Sequence, residues 1–511
     1  MLSRRVPVST FLGCALLAAV AGCAPLPAIR PAARVATVEN RHITTSPRKI
    51  DLAIHVRPSV ADDPRIEMEV KATSDDLPRR FVVQKQWAGD EEALEHLSGP
   101  RVECDGKVVD VTVDDLETHV GWATATRCGT AIVRYVLRPP KPRLEWGYEF
   151  DVVATRELVT AIAESTLLLP DVPDATRAHV TVEFDLAGMP QGAEGVYSLG
   201  PGGHDTTMRA LRHAYFAAGK FVTVKHQSGN LSLEARAPVG AGLESPAATR
   251  DLARLLEAEA KIFSDEHPEP LRLLVVGMPA GGGAHGTSLS ASAIVWRDRT
   301  TAWTQEDARL VAHEMFHLYN GQIIERTAGT GSDAETYWFS EGFTEHYTDE
   351  LLRRSGVVRA HDWFEAVRER VRRYHRHPDC ETPNDKADMR WGGAAVQLPY
   401  LRGAMIAAYV DYEMRNHSAG ARTLDDFMRG LLVRARAGLP PIDPSEMVRL
   451  ISEEIGAELG GIVRSVALGG KRLMLPKDAF GSCVEVSGSG GEQDVRIRAG
   501  VDLEACMRSG G

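Results

Sequence analysis

The stretch VAHEMFHLYN, Val311 to Asn320, decides how the rest of this chain reads, because it sets His313 and His317 one helical turn apart with Glu314 between them. On a helix, positions i and i+4 share a face, so both imidazoles reach one cation, while Glu314 lies about 100° further round and addresses a water held there. Downstream, TYWFSEGFTEHYTDELLRRSG opens a second strongly helical segment with Glu341 near its start. Catalytic zinc takes three protein ligands and leaves one position for water. The expectation is therefore a zinc ion held by His313, His317 and Glu341, with Glu314 as general base.

An HExxH helix followed by WFSEGFTEHY resembles the glutamate-zincins, and within them the glycyl aminopeptidase family, a relative of the alanyl aminopeptidase and leukotriene-hydrolase group. HLYN resembles that family's HxWN, with Tyr319 in place of tryptophan, and PYLRGAMIAAYVDYEM (Pro399 to Met414) resembles its pattern of tyrosine, basic residue, glycine and helix. The resemblance is good from Met278 to Leu432 and loose elsewhere. It implies a zinc peptidase acting on small N-terminal residues, a β-rich leading domain, a thermolysin-like catalytic domain, and Tyr400 as the hydroxyl that stabilises the oxyanion. The usual PDZ domain after the catalytic part finds too few residues here.

The family's GGLEH-like run, whose glutamate holds the substrate's free amine, corresponds here to GGGAHGTS. Gly282, Gly283, Ala284 and His285 then fall at substrate-binding positions, and Ala284 stands where the carboxylate should be. Such a charged partner is typically worth about 1.5–3 kcal/mol. An endopeptidase, or a peptidase of altered specificity on the same scaffold, is accordingly the first alternative. The second is a non-catalytic envelope binding or assembly lipoprotein, against which the intact ligand set argues. Glu345 and Asp349 follow Glu341 by four and eight, on one helix face; one is expected to accept the outer N–H of a zinc histidine, the other reading being a solvated acidic face.

At 511 residues the chain is too long for one core, and its net charge of -11 argues against a general nucleic-acid binder. The dense basic run RERVRRYHRH (Arg368 to His377) reads as a solvated helix face. At the N-terminus, Arg4 and Arg5 precede an apolar stretch ending at Val20, too short for a comfortable span, and then Ala21-Gly22-Cys23. This resembles a bacterial lipoprotein signal: residues 1–22 removed, Cys23 lipidated, residues 23–41 a Pro- and Ala-rich tether, and the protein anchored in the cell envelope, at the outer membrane facing periplasm or cell surface. Cys14 is a rival with almost no apolar core before it. The expected partners are a peptide or protein substrate and a membrane through the lipid, with no nucleic acid. Export makes Cys104 with Cys128 and Cys483 with Cys506 plausible disulfides and leaves Cys380 free.

The expected fold class is multidomain α+β. IEMEVK, VVDVTV, TAIVRYVL and VTVEFDL alternate or are β-branched-rich, placing a β-sandwich-like domain at residues 42–210. A mainly helical, thermolysin-like zinc peptidase domain follows at 211–460, with strands at LRLLVVGM and SASAIVW, and helices starting at Thr304 and Asp443, where N-cap and N3 residues match. Residues 461–511 read as a short β-rich segment.

Overall fold

The computed structural model describes residues 49–60, 63–85, 94–139, 151–263, 270–278, 285–298, 302–325, 327, 333–386, 394–488 and 491–508. Cys23, the signal and tether, and Gly282, Gly283 and Ala284 lie outside the described residues. Among the described residues no helix is long and apolar enough to cross a membrane.

Strands dominate the N-terminal half. A seven-stranded sheet runs in the order Gly203–Thr207, Arg177–Phe184, Lys49–Ser59, Arg65–Thr73, Thr130–Leu137, Leu97–Cys104, Lys107–Val109. Its pairings are antiparallel except that of Lys49–Ser59 with Arg177–Phe184. Alternate residues of Lys49–Ser59 are buried, as one wetted and one packed face require. A four-stranded sheet, Leu169–Pro170, Arg80–Gln84, His119–Thr124 and Val111–Asp115, shares that core, where Ile54, Val70 and Val133 meet Phe81, Val83 and Trp122. VVDVTV does not form one strand. Asp110 separates Lys107–Val109 from Val111–Asp115, which join different sheets, and Val108 and Val113 are exposed.

A five-stranded sheet carries the transition to helices, ordered Phe221–Ser228, Leu231–Pro238, Leu271–Met278, Ser292–Asp298, His285–Leu289. Every residue of Leu271–Met278 is buried, the signature of a strand covered on both sides. Leu274, Val276, Ile294 and Trp296 face a second four-stranded sheet through Leu158, Ile162 and Tyr215. Leu273, Val275, Ala293 and Val295 face the helices. These include Pro246–Phe263, Gln305–His317, Tyr337–Ser355, Ala360–Arg376 and Leu398–His417. The C-terminal segment is more helical than its sequence suggests: the hairpin of Val484–Ser487 and Asp494–Ile497 lies between helices Ala457–Ala467 and Leu503–Arg508. Both expected disulfides form, Cys104–Cys128 and Cys483–Cys506, and Cys380 is free and buried.

One core residue breaks the pattern. Glu259 lies on the apolar face of helix Pro246–Phe263, fully buried, with no hydrogen-bond partner for either carboxylate oxygen. Burial pushes its carboxyl from the usual 4.5 up to about 8. The folded chain thus keeps a proton that the unfolded chain releases, so this residue's contribution to stability falls as pH rises from about 4.5 to about 8 and is flat above. Glu259→Gln should match the wild type in denaturation at pH 4.5 and exceed it at pH 9 by on the order of a few kcal/mol. An equal difference at both pH values contradicts this.

Candidate active site

Helix Gln305–His317 begins where its sequence says it should. Thr304 caps it, and Asp307 closes a capping box by accepting the Thr304 N–H at 2.7 Å. The same carboxylate takes two bonds from buried Arg297 on strand Ser292–Asp298, at 2.6 and 3.0 Å, so the helix start is pinned to the sheet. At its other end the chain widens into a π-turn, Leu318–Ile323, with non-helical Asn320 and Gly321. Fully buried Asn320 donates to the Phe339 and Ser340 carbonyls at 3.2 and 3.1 Å, tying this turn to helix Tyr337–Ser355, which carries Glu341.

The three expected ligands converge. His317 Nε2 lies 3.0 Å from His313 Nε2 and 3.1 Å from Glu341 Oε2, and His313 Nε2 lies 3.5 Å from that oxygen. Ligands about 2.0–2.1 Å from a tetrahedral zinc stand about 3.3–3.4 Å apart, so the triangle fits. The charge environment fits as well. Burial opposes a proton on His313, but Glu341 and Glu345 overcome it and push the imidazole up to about 10, a measure of how strongly this point favours positive charge. Burial would raise Glu341, yet His317 and His313 hold it well below the usual carboxylate range.

Glu314 is 4 % exposed, and its Oε2 has no hydrogen-bond partner. Burial raises its carboxyl above the usual range against the pull of His313 and His317. It packs on strand His285–Leu289 at Gly286, where a Cβ would come within 2.5 Å of Glu314 Cγ, so any larger residue there would displace the Glu314 side chain. Side chains alternate along a strand, which takes His285 to the face opposite Glu314. Tyr400 stacks on His313, ring centroids 6.3 Å apart. Burial, with Glu341, Glu314 and Glu345 adding to it, keeps its hydroxyl protonated far above the ordinary tyrosine range.

Behind the histidines stands a closed ionic layer. His313 Nδ1 donates to Glu345 at 3.2 Å, and Glu345 in turn accepts from Arg309 at 2.5 Å and Arg370 at 2.8 Å. Burial would raise Glu345, but Arg309 and Arg370 hold it well below the usual range. Asp349 pairs with the same two arginines. The His317 Nδ1 donates instead to the Asn320 carbonyl at 3.2 Å. The Glu345–Asp349 face is therefore not solvated, because two arginines cover it. The basic run is a solvated face only in part: Glu369, Arg373 and Arg376 are exposed, but Arg370 joins this layer, and Arg368 and Arg372 pair with Asp494 of the C-terminal hairpin.

Glu341 and Tyr400 reach the same point because their helices touch backbone to backbone. A Cβ on Gly342 would lie 2.2 Å from Gly403 Cα, and one on Gly403 would lie 1.7 Å from the Trp338 carbonyl oxygen. Arg402, beside that contact, is structural: its buried guanidinium binds Asn384 and the carbonyls of Cys380 and Thr382. Sequence reasoning thus reaches His313, Glu314, His317, Glu341, Glu345 and Tyr400, uses Gly403 only as a mark of the pattern around Tyr400, and passes over Gly286, Asn320, Gly342, Arg309 and Arg370. Arg309 had a signal, since it stands four residues before His313 on the same helix face.

Residues 306–392 match the family model of M61 glycyl aminopeptidase. Among solved structures, the chain is similar to an aminopeptidase N family protein from Idiomarina loihiensis, with a TM-score of 0.69 at 14% identity over 85% of this chain and 79% of that one. It is also similar to an M1 zinc metallopeptidase from Deinococcus radiodurans, with a TM-score of 0.51 at 18% identity over 84% and 95%. No curated protein matches the chain.

Proposed function

We propose that this chain, a metallopeptidase of the M61/M1 aminopeptidase type, is a zinc-dependent aminopeptidase that removes small N-terminal residues and works anchored to the bacterial envelope. The observation that carries the reading is the convergence of His313, His317 and Glu341, with Glu314 next in sequence to His313 and its buried Oε2 unpartnered. His313, His317 and Glu341 would hold the zinc, which would supply Lewis-acid chemistry and a water of lowered pKa. Glu314, buried and with raised proton affinity, accepts a proton and returns it to the leaving amine. The Tyr400 O–H stays protonated and donates to the oxygen that gains charge. Tyr400→Phe should lower kcat by about 10²–10³ with zinc content unchanged; a change of only a few-fold removes this role.

The exopeptidase part is tested with glycyl and alanyl anilides, free and N-acetylated. Hydrolysis of the free substrates alone supports it. Equal hydrolysis of both favours the endopeptidase alternative, whose one supporting observation is Ala284. For the anchor, the run ending at Ala21-Gly22-Cys23 and two disulfides, at home in an oxidising compartment, are the support. Cys23→Ser should move the protein from the membrane fraction to the soluble one; unchanged fractionation counts against lipidation.

A further inference from the structure

Strand His285–Leu289 is the outer strand of its sheet, paired only with Ser292–Asp298 among the described residues. Backbone polar groups of successive residues alternate between the two edges of a strand. The Gln322 amide donates to the Ser288 carbonyl at 3.2 Å, which marks Ser288, and with it Gly286 two residues before, as facing the open edge. Gly286 is the residue against Glu314. The open edge beside the catalytic base therefore meets an obstruction about 7 Å further along the strand.

Two elements build that obstruction. Gln322 belongs to the π-turn that continues the ligand helix. Just beyond, the Ser290 N–H donates to the His213 carbonyl at 2.8 Å, and His213 ends the short helix Met208–Arg212. Arg209 of that helix pairs with Glu325 at 2.5 Å, and the Ile442 N–H donates to the Glu325 carbonyl at 3.0 Å, so the turn and the helix are fastened together. A peptide lying along a sheet edge gains affinity from main-chain hydrogen bonds. Here, among the described residues, such bonds are open at Gly286, whereas the Ser288 carbonyl and the Ser290 N–H are already taken.

We propose that Gln322 is a specificity-determining residue: with the His213 carbonyl it closes the Ser288–Ser290 end of the substrate edge, so that a peptide extends past the cleaved bond in one direction only. This rests on the peptidase reading above. It gives the enzyme an exopeptidase's cleft by occupation of the edge, without a carboxylate at position 284.

The test is kcat/KM for peptides lengthened one residue at a time on either side of a fixed cleavable bond, using wild type, Gln322→Ala and Gln322→Glu, each checked for zinc content. The glutamate variant keeps the length of the side chain and loses the donor. Wild type should tolerate lengthening on one side and reject it on the other. Both variants should relax that ratio by about tenfold or more, the worth of one or two freed hydrogen bonds. Wild type tolerant on both sides, or variants with an unchanged ratio, overturns the proposal while leaving the peptidase reading intact. A zinc-loaded wild type that cleaves none of the series overturns both.

Discussion

Glu314→Gln is expected to bind zinc as the wild type does and to lose about 10²–10⁴ in kcat, the usual share of a positioned general base. Glu314 is not among the three convergent donors, so the amide leaves them in place. Its fit also survives: Gly286 leaves room for the side chain, and glutamine has the same shape as glutamate. What changes is proton chemistry alone, since an amide neither accepts the proton nor returns it. A variant with unchanged zinc and unchanged kcat would remove Glu314 from the mechanism. A variant that loses zinc would mean that its carboxylate supports the ligand cluster instead.

Gly403→Ala is expected to be at least as damaging, through packing. Its new methyl would sit 1.7 Å from the Trp338 carbonyl oxygen, which belongs to the backbone of the Glu341 helix and cannot swing aside. Overpacking commonly costs about 1–3 kcal/mol, and a clash with backbone belongs at the top of that range or above. Any relief must spread the two helices, and that separates Glu341 from Tyr400. The expected outcome is a lower denaturation midpoint together with a fall in both zinc affinity and kcat. Gly430→Ala is the control, because a Cβ there meets nothing within 4 Å. Equal behaviour of the two variants would contradict the close crossing as the device that assembles the site.

The difference between these two predictions reflects what a sequence exposes. Glu314 is legible because its relation to His313 and His317 is local, fixed by helical geometry and by the Thr304 capping box just upstream. The same holds for Leu271–Met278 and Thr130–Leu137, whose strands coincide with their apolar patterns. Hairpin Phe221–Ser228 with Leu231–Pro238 shows equally clear alternation around Gly229 and Asn230, a signal available in the residues alone. Gly403 and Gly342 are another matter, since which glycine faces which helix is settled only by tertiary packing. Arg370 is similar: its neighbours in RERVRRYHRH suggest a wet surface, and only the approach of helix Tyr337–Ser355 turns it towards Glu345. Gly286 hides for the same reason, its partner Glu314 lying on another element.

The central claim is that His313, His317 and Glu341 hold the zinc on which peptide cleavage depends. Its most direct test is metal content measured alongside hydrolysis of an unblocked peptide, before chelation, after chelation and after zinc is restored. The account predicts one zinc per chain, loss of both zinc and hydrolysis on chelation, their joint return, and neither in His313→Ala. Hydrolysis that persists in metal-free protein, or in His313→Ala without zinc, would contradict it.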